Sequence, residues 1–233
     1  MPLSEAWKRT VDDGLTNPKW DEFDKVIKAE VDAYNKKFAA SPDYKKLDWK
    51  LFKAMVWVES GGPTTQAWKA RVMQIGNPKD AGFEVLKGGK DGSDLIMSEQ
   101  LKKDVIDNIN KPSVNVRAGI AYMVTRLAKS NFQSVLDPTV KKTFNYTVVA
   151  GDSLEKIAKK VGSTTEELKK LNPTVKVLLP KRTILYKKAK IKRVITGWLK
   201  FDSHTIADRY NVGDQNYSAK LDYVMSLFEK LKR

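Results

Sequence analysis

Apolar residues recur at helical spacing through most of the chain. Ala6, Val11 and Leu15, then Phe23, Val26, Ile27, Val31 and Tyr34, predict two helices broken at Asn17-Pro18. After a Ser41-Pro42-Asp43 turn, Leu51, Ala54, Met55 and Val58 line one face of a helix over 47–58 that stops at Gly61-Gly62-Pro63. Glu59 therefore falls in the last turn of an apolar helix. Residues 64–92 are rich in Gly, Pro and polar side chains and predict loops and short strands around 71–76. Two more helices are expected over 94–110 and 114–127, the second with Val116, Ile120, Met123, Val124 and Leu127 in phase. The pattern changes near Asp137-Pro138: residues 146–186 read as strand, helix, helix, strand. A Lys-rich linker follows over 187–193, and helical periodicity returns over 205–211 and 218–231.

A 233-residue chain with 41% hydrophobic residues can bury a real core, which excludes a disordered protein. Four of the six Trp, at positions 49, 57, 68 and 198, lie near the motifs described below and are candidates for core or for sugar-stacking walls. The net charge of +15 suits polyanionic surroundings such as nucleic acid, anionic lipid or an anionic cell envelope, but the basic residues are spread along the chain. No reading helix, zinc module or RNA-binding signature is visible, so no specific nucleic-acid partner is expected. With no cysteine and a lone His204, no metal site or cofactor is expected. No run is apolar enough to span a membrane.

One segment carries a specific signature. Residues 146–154, Tyr-Thr-Val-Val-Ala-Gly-Asp-Ser-Leu, continue through Ile157-Ala158 to Glu166-Glu167-Leu168-Lys169-Lys170-Leu171-Asn172-Pro173. Gly151 allows a tight turn, Asp152 or Ser153 can cap the first helix, and Thr164 or Thr165 can cap the second. This stretch strongly resembles a LysM domain. The resemblance implies a shallow groove for N-acetylglucosamine, lined by Gly151, Asp152, Ser153 and Leu154 on one side and Asn172, Pro173, Thr174 and Val175 on the other. Taken singly, Asp152 and Asn172 are first of all capping residues. Residues 151–154 also match the Gly-Asp-Ser-Leu tetrapeptide of a lipase family, but a serine esterase needs a partner histidine, and His204 sits in no such context.

Four short motifs flank that segment: Glu59-Ser60-Gly61, Val72-Met73-Gln74-Ile75, Asn115 to Met123, and Tyr210-Asn211-Val212-Gly213. In this order they are similar to goose-type lysozymes and soluble lytic transglycosylases. The implied fold class is α+β, a mainly α-helical, discontinuous lysozyme-like domain over 1–143 and 191–233 with an inserted βααβ LysM module over 144–190. Insertion at an exposed loop costs little when the ends of the insert lie close together.

Cleaving a glycosidic bond requires a carboxyl that stays protonated near neutral pH. Glu59 suits that task, because a helix C-terminus and apolar neighbours both disfavour its charged form. The resemblance implies that Ser60, Gln74 and Ile75 line the sugar cleft, that Tyr210 and Asn211 position the bond or the N-acetyl group, and that Tyr122 contacts substrate or belongs to the core. The second carboxylate is open: Gly76-Asn77 stands where goose-type lysozymes place an acid. Asp80 is the nearest candidate, ahead of Glu84, Asp91 and Asp94. With a second acid the enzyme hydrolyses; without one, the substrate's own groups yield an anhydromuramyl product. A non-catalytic, peptidoglycan-binding relative is the alternative.

The N-terminal residues lack the apolar stretch of a secretory signal. Action in the periplasm or cell wall then implies delivery by a dedicated secretion system, such as type VI, or a phage lysis route, with an immunity protein or a secretion carrier as expected partners.

Overall fold

Side-chain caps decide where most of the helices begin. In the computed structural model, which describes residues 2–231, α1 (Glu5–Asp12) and α2 (Asp24–Phe38) flank two 3-10 turns, the second started by Asn17, whose side chain accepts from the Lys19 amide. Helix α3 (Trp49–Ser60) is capped by Asp48 and ended by Gly61 at φ 69°, a conformation that favours glycine. Residues 64–92 hold no strand. Thr65 and Asp80 cap α4 (Gln66–Lys69) and α5 (Ala81–Gly88), and these caps outweigh the surrounding Gly and Pro on which the expectation of loops and strands rested.

The expected helix over 94–110 is two, α6 (Ser93–Ile96) and α7 (Glu99–Asn108), because Ser98 starts a new cap by accepting from the Leu101 amide. Then come α8 (Pro112–Leu127), β1 (Ala128–Leu136), β2 (Phe144–Thr147), α9 (Leu154–Val161), α10 (Thr165–Leu171), β3 (Thr183–Tyr186), β4 (Ala189–Trp198), α11 (Ser203–Arg209) and α12 (Tyr217–Lys230). The protein is α+β with 53% helix. Strands β2 and β3 pair antiparallel with Tyr146 opposite Ile184, and β1 pairs with β4 in a separate two-stranded sheet.

The chain divides into two units, Met1–Ser130 with Ile195–Arg233, and Asn131–Val194. The second is wider than the 144–190 expected for the insert because parts of β1 and β4 belong to it. Residues 189–193, read as linker, are strand.

The core of the first unit centres on α3, whose Phe52, Ala54, Met55, Val56 and Trp57 are all buried. Leu221, Val224 and Phe228 of α12 are buried in the same cluster, so residues on both sides of the insert share one core. Each such side chain contributes about 1.5–3 kcal/mol of transfer free energy. Trp57 donates its indole N–H to the Trp20 carbonyl and packs against Trp20 and Phe228. With Trp57, Trp68 and Trp198 at 0%, 3% and 7% exposure, these rings are core and not sugar-stacking walls. The second unit has its own small core of Val148, Ile157, Ala158, Val161, Leu168 and Ile184.

The basic excess is less evenly spread than the sequence pattern suggests. Residues 131–194 hold 15 Lys and Arg against 5 Asp and Glu, so this unit carries +10 of the net +15.

Candidate functional site

Glu59 lies one residue before the end of α3 and is mostly enclosed. Burial raises the pKa of its carboxyl above that of an ordinary glutamate. Hydrogen bonds from Tyr217, 2.6 Å from Oε1, and from Asn211 pull it down in part, Asp214 pushes it up and Lys220 lowers it. Burial outweighs the rest, which suits a proton donor. Tyr217, in the first turn of α12, is itself buried, and burial together with the nearby Glu59 drives its hydroxyl pKa well above the usual value.

Facing Glu59 is the turn over 71–76, held by two residues of α8. Buried Asn115 accepts from the Met73 amide at 2.8 Å and donates to the Ile75 and Ile109 carbonyls at 2.7 and 3.0 Å. Gly119 gives room, since a Cβ there would stand 2.4 Å from Met73 Cβ. The third motif therefore acts as a clamp on the second. Tyr210 adds a bond from its hydroxyl to the Met73 carbonyl at 2.7 Å and packs on Tyr122 with ring centroids 5.6 Å apart. Asn115→Ala strands two buried backbone groups and one partly buried one, so it should cost about 3–5 kcal/mol in urea unfolding. A change under about 1 kcal/mol would contradict the clamp.

Together these groups enclose a cleft of about 270 Å³ lined by Glu59, Met73, Gln74, Ile75, Asp80, Ala81, Gly82, Tyr122, Tyr210 and Asn211. Of the site residues named from sequence in this unit, Ser60 is absent from the lining, as are Glu84, Asp91 and Asp94, the more distant candidates for a second carboxylate. The Ser60 hydroxyl donates to the Val56 carbonyl and accepts from the Gly62 amide, and the residue is 4% exposed, so it shapes the helix end and does not face a substrate. Gln74 adopts φ 56° and spends its amide on the Arg71 carbonyl and on Asn77. Asp80 caps α5, its two oxygens accepting from the Gly76 and Gly82 amides at 2.7 and 2.8 Å. Tyr217 and Asn115 had no assigned role in the sequence; Tyr217 stands just ahead of the 218–231 periodicity and gives no motif signal. Among the described residues no group of three or more His, Cys, Asp and Glu side chains is placed to hold a metal ion.

The second unit has a groove of about 890 Å³ lined from one side by Asp152, Ser153 and Leu154 and from the other by Asn172, Pro173 and Val175, with Val177 and Leu178 beyond. Gly151, at φ 82°, shapes the turn but does not line the groove. Asp152 accepts from the Tyr146 hydroxyl and the Val149 amide, both at 2.9 Å, and the latter bond leads in holding its carboxyl below the usual range. The Asn172 amide brackets Leu185 of β3, donating to its carbonyl and accepting from its amide N–H, both at 2.8 Å. Ser153 caps α9. These polar side chains hold the groove's walls in place. Val177, 63% exposed, leaves an apolar surface of the kind on which a sugar ring packs.

Comparison with known families identifies a LysM domain at residues 146–180. This points to binding of peptidoglycan or another N-acetylglucosamine glycan, and so to action on the cell wall. No curated protein and no solved structure matches the chain. Among the described residues no helix is long and apolar enough to cross a membrane.

Proposed function

We propose that the protein cleaves the glycan strands of peptidoglycan at the bond between N-acetylmuramic acid and N-acetylglucosamine, using a lysozyme-like first unit while the LysM domain holds the strand. The observation that carries this reading is the Glu59 carboxyl, enclosed, shifted toward its protonated form, and set in a cleft with Gln74, Tyr210 and Asn211. Glu59 gives its proton to the glycosidic oxygen as the bond to the muramyl C1 breaks. The C6 hydroxyl of the same muramyl residue then bonds to C1, and its proton passes to the Glu59 carboxylate. One strand becomes a 1,6-anhydromuramyl end and a new N-acetylglucosamine 4-hydroxyl end, with no water consumed.

The anhydro route is favoured over hydrolysis by Asp80, whose two oxygens already accept backbone amides. Mass spectrometry of fragments released from purified peptidoglycan tests this directly. Products one water lighter than hydrolytic fragments are expected; reducing ends would make Asp80 or another group a water-positioning base. The second reading, wall binding without cleavage, draws on Gly76-Asn77 standing where goose-type lysozymes carry an acid. It predicts no soluble fragments at all.

Tyr217→Phe removes a donor that favours the charged form of Glu59, so the carboxyl pKa should rise. The alkaline limb of the pH–rate profile should then move to higher pH, with activity at the optimum falling by no more than about tenfold. A limb that stays in place or moves down would separate Tyr217 from the proton donor.

A further inference from the structure

A second concavity, of about 420 Å³, shares Gln74 with the Glu59 cleft and is otherwise lined by Gln66, Ala67, Ala70, Arg71, Asn77 and Asn110. Arg71 gives it a charge. Its Nε donates to Asn110 Oδ1 at 2.8 Å and its Nη1 to Asn77 Oδ1 at 3.0 Å. Asn77 is fixed in turn by bonds from its Nδ2 to the Gln74 carbonyl and to Gln74 Oε1, at 3.1 and 2.9 Å. Two neutral amides thus orient the guanidinium without neutralising it. No lining residue is acidic, and among the described residues no carboxylate forms an ion pair with Arg71. A guanidinium has five N–H donors in a planar fork, so most of its capacity remains for a planar anion.

We infer that Arg71 forms a carboxylate-binding subsite beside the cleavage cleft and selects strands that carry acidic groups over neutral N-acetylglucosamine polymers. This rests on the glycan-cleaving reading of the neighbouring cleft. Muramyl strands carry such carboxylates in two places, on the stem peptide or, where the peptide has been removed, on the lactyl group; chitin oligomers carry neither. Arg71 does not touch the reacting bond, so its removal should weaken binding and leave the chemical step nearly intact.

The test uses the full chain carrying Glu59→Gln, so that no ligand is consumed, and follows the side-chain amide resonances of Asn77 and Asn110, which report the Arg71 concavity and not the LysM groove. Three probes are titrated: a peptide-bearing muramyl tetrasaccharide, the same tetrasaccharide with its lactyl carboxylates bare, and chitotetraose. At least one muramyl probe should shift both amides, and chitotetraose should leave them in place. Whichever muramyl probe acts identifies the carboxylate. Arg71→Gln should raise the KM for muramyl strands about tenfold or more with kcat within about threefold, and Arg71→Lys should recover part of the loss.

Amides that ignore all three probes, or respond to chitotetraose as strongly as to the muramyl sugars, would overturn the subsite whether or not Arg71→Gln folds. The cleavage reading fails separately, through lysis that persists in Glu59→Gln.

Discussion

Glu59→Gln should lower the release of soluble fragments from peptidoglycan by about 10²–10⁴-fold, the range that a positioned general acid supplies, while binding to the insoluble wall is unchanged. The same variant should be more stable than the wild type at neutral pH. Burial raises the Glu59 pKa in the folded state, so its favourable contribution to folding is present below the unfolded value and is lost as pH rises through the folded one. Glutamine has no such loss. A gain of about 1 kcal/mol would appear as a Tm about 2–4 °C higher at pH 7.5, shrinking toward zero near pH 4. Lysis at the wild-type rate would remove Glu59 from the chemistry. A Tm gain that is the same at both pH values would mean that its charge is not the source of the cost.

The second large effect concerns the insert. Thr196 Oγ1 donates to the Lys129 carbonyl at 3.3 Å, and the Leu199 amide to the Leu127 carbonyl at 2.8 Å, so the two edges of the first unit already lie side by side. Replacing residues 131–194 with a tight Asn-Gly turn should therefore leave that unit folded. Cleavage of soluble glycan should persist within a few-fold. At low wall concentration, cleavage of insoluble peptidoglycan should fall about 10²-fold or more, because the second attachment point is gone. Retention on washed walls, followed by sedimentation, should fall as well. Undiminished retention would move wall binding to the first unit; an unfolded product would mean that the insert supports it.

Much of the architecture follows from side-chain periodicity and from caps. The α3 helix and its stop at Gly61, the α8 stripe and the strand-helix-helix-strand order of residues 144–186 are all readable, because each pairs a regular apolar pattern with a turn residue. Strands β1 and β4 are not. Phe132 and Ile191 are 60% and 78% exposed, and Lys190 and Lys192 flank Ile191, so apart from Gly197 and Trp198 at the end of β4 this ribbon has no buried face to impress on the sequence. At the cleft, Glu59, Gln74, Tyr210 and Asn211 stood in short motifs, but the residues that fix them did not. Tyr217 reaches Glu59 across 158 positions, and Asn115 serves the Met73 turn through backbone atoms, whose partners leave no trace in side-chain identity. Ser60 misled because adjacency to an acid in sequence does not place a side chain on the same face of a helix.

The divided first unit also sets an order of assembly at the ribosome. Helix α3 emerges early, but the segments that bring Asn211 and Tyr217 to Glu59 follow only after the whole insert has been made. The insert, with its compact core, can fold while its host is still waiting for α12. A nascent or prematurely terminated chain ending before residue 210 would thus carry a folded LysM domain yet lack the groups that enclose Glu59, with the greasy side of α3 uncovered and open to chaperones and proteases.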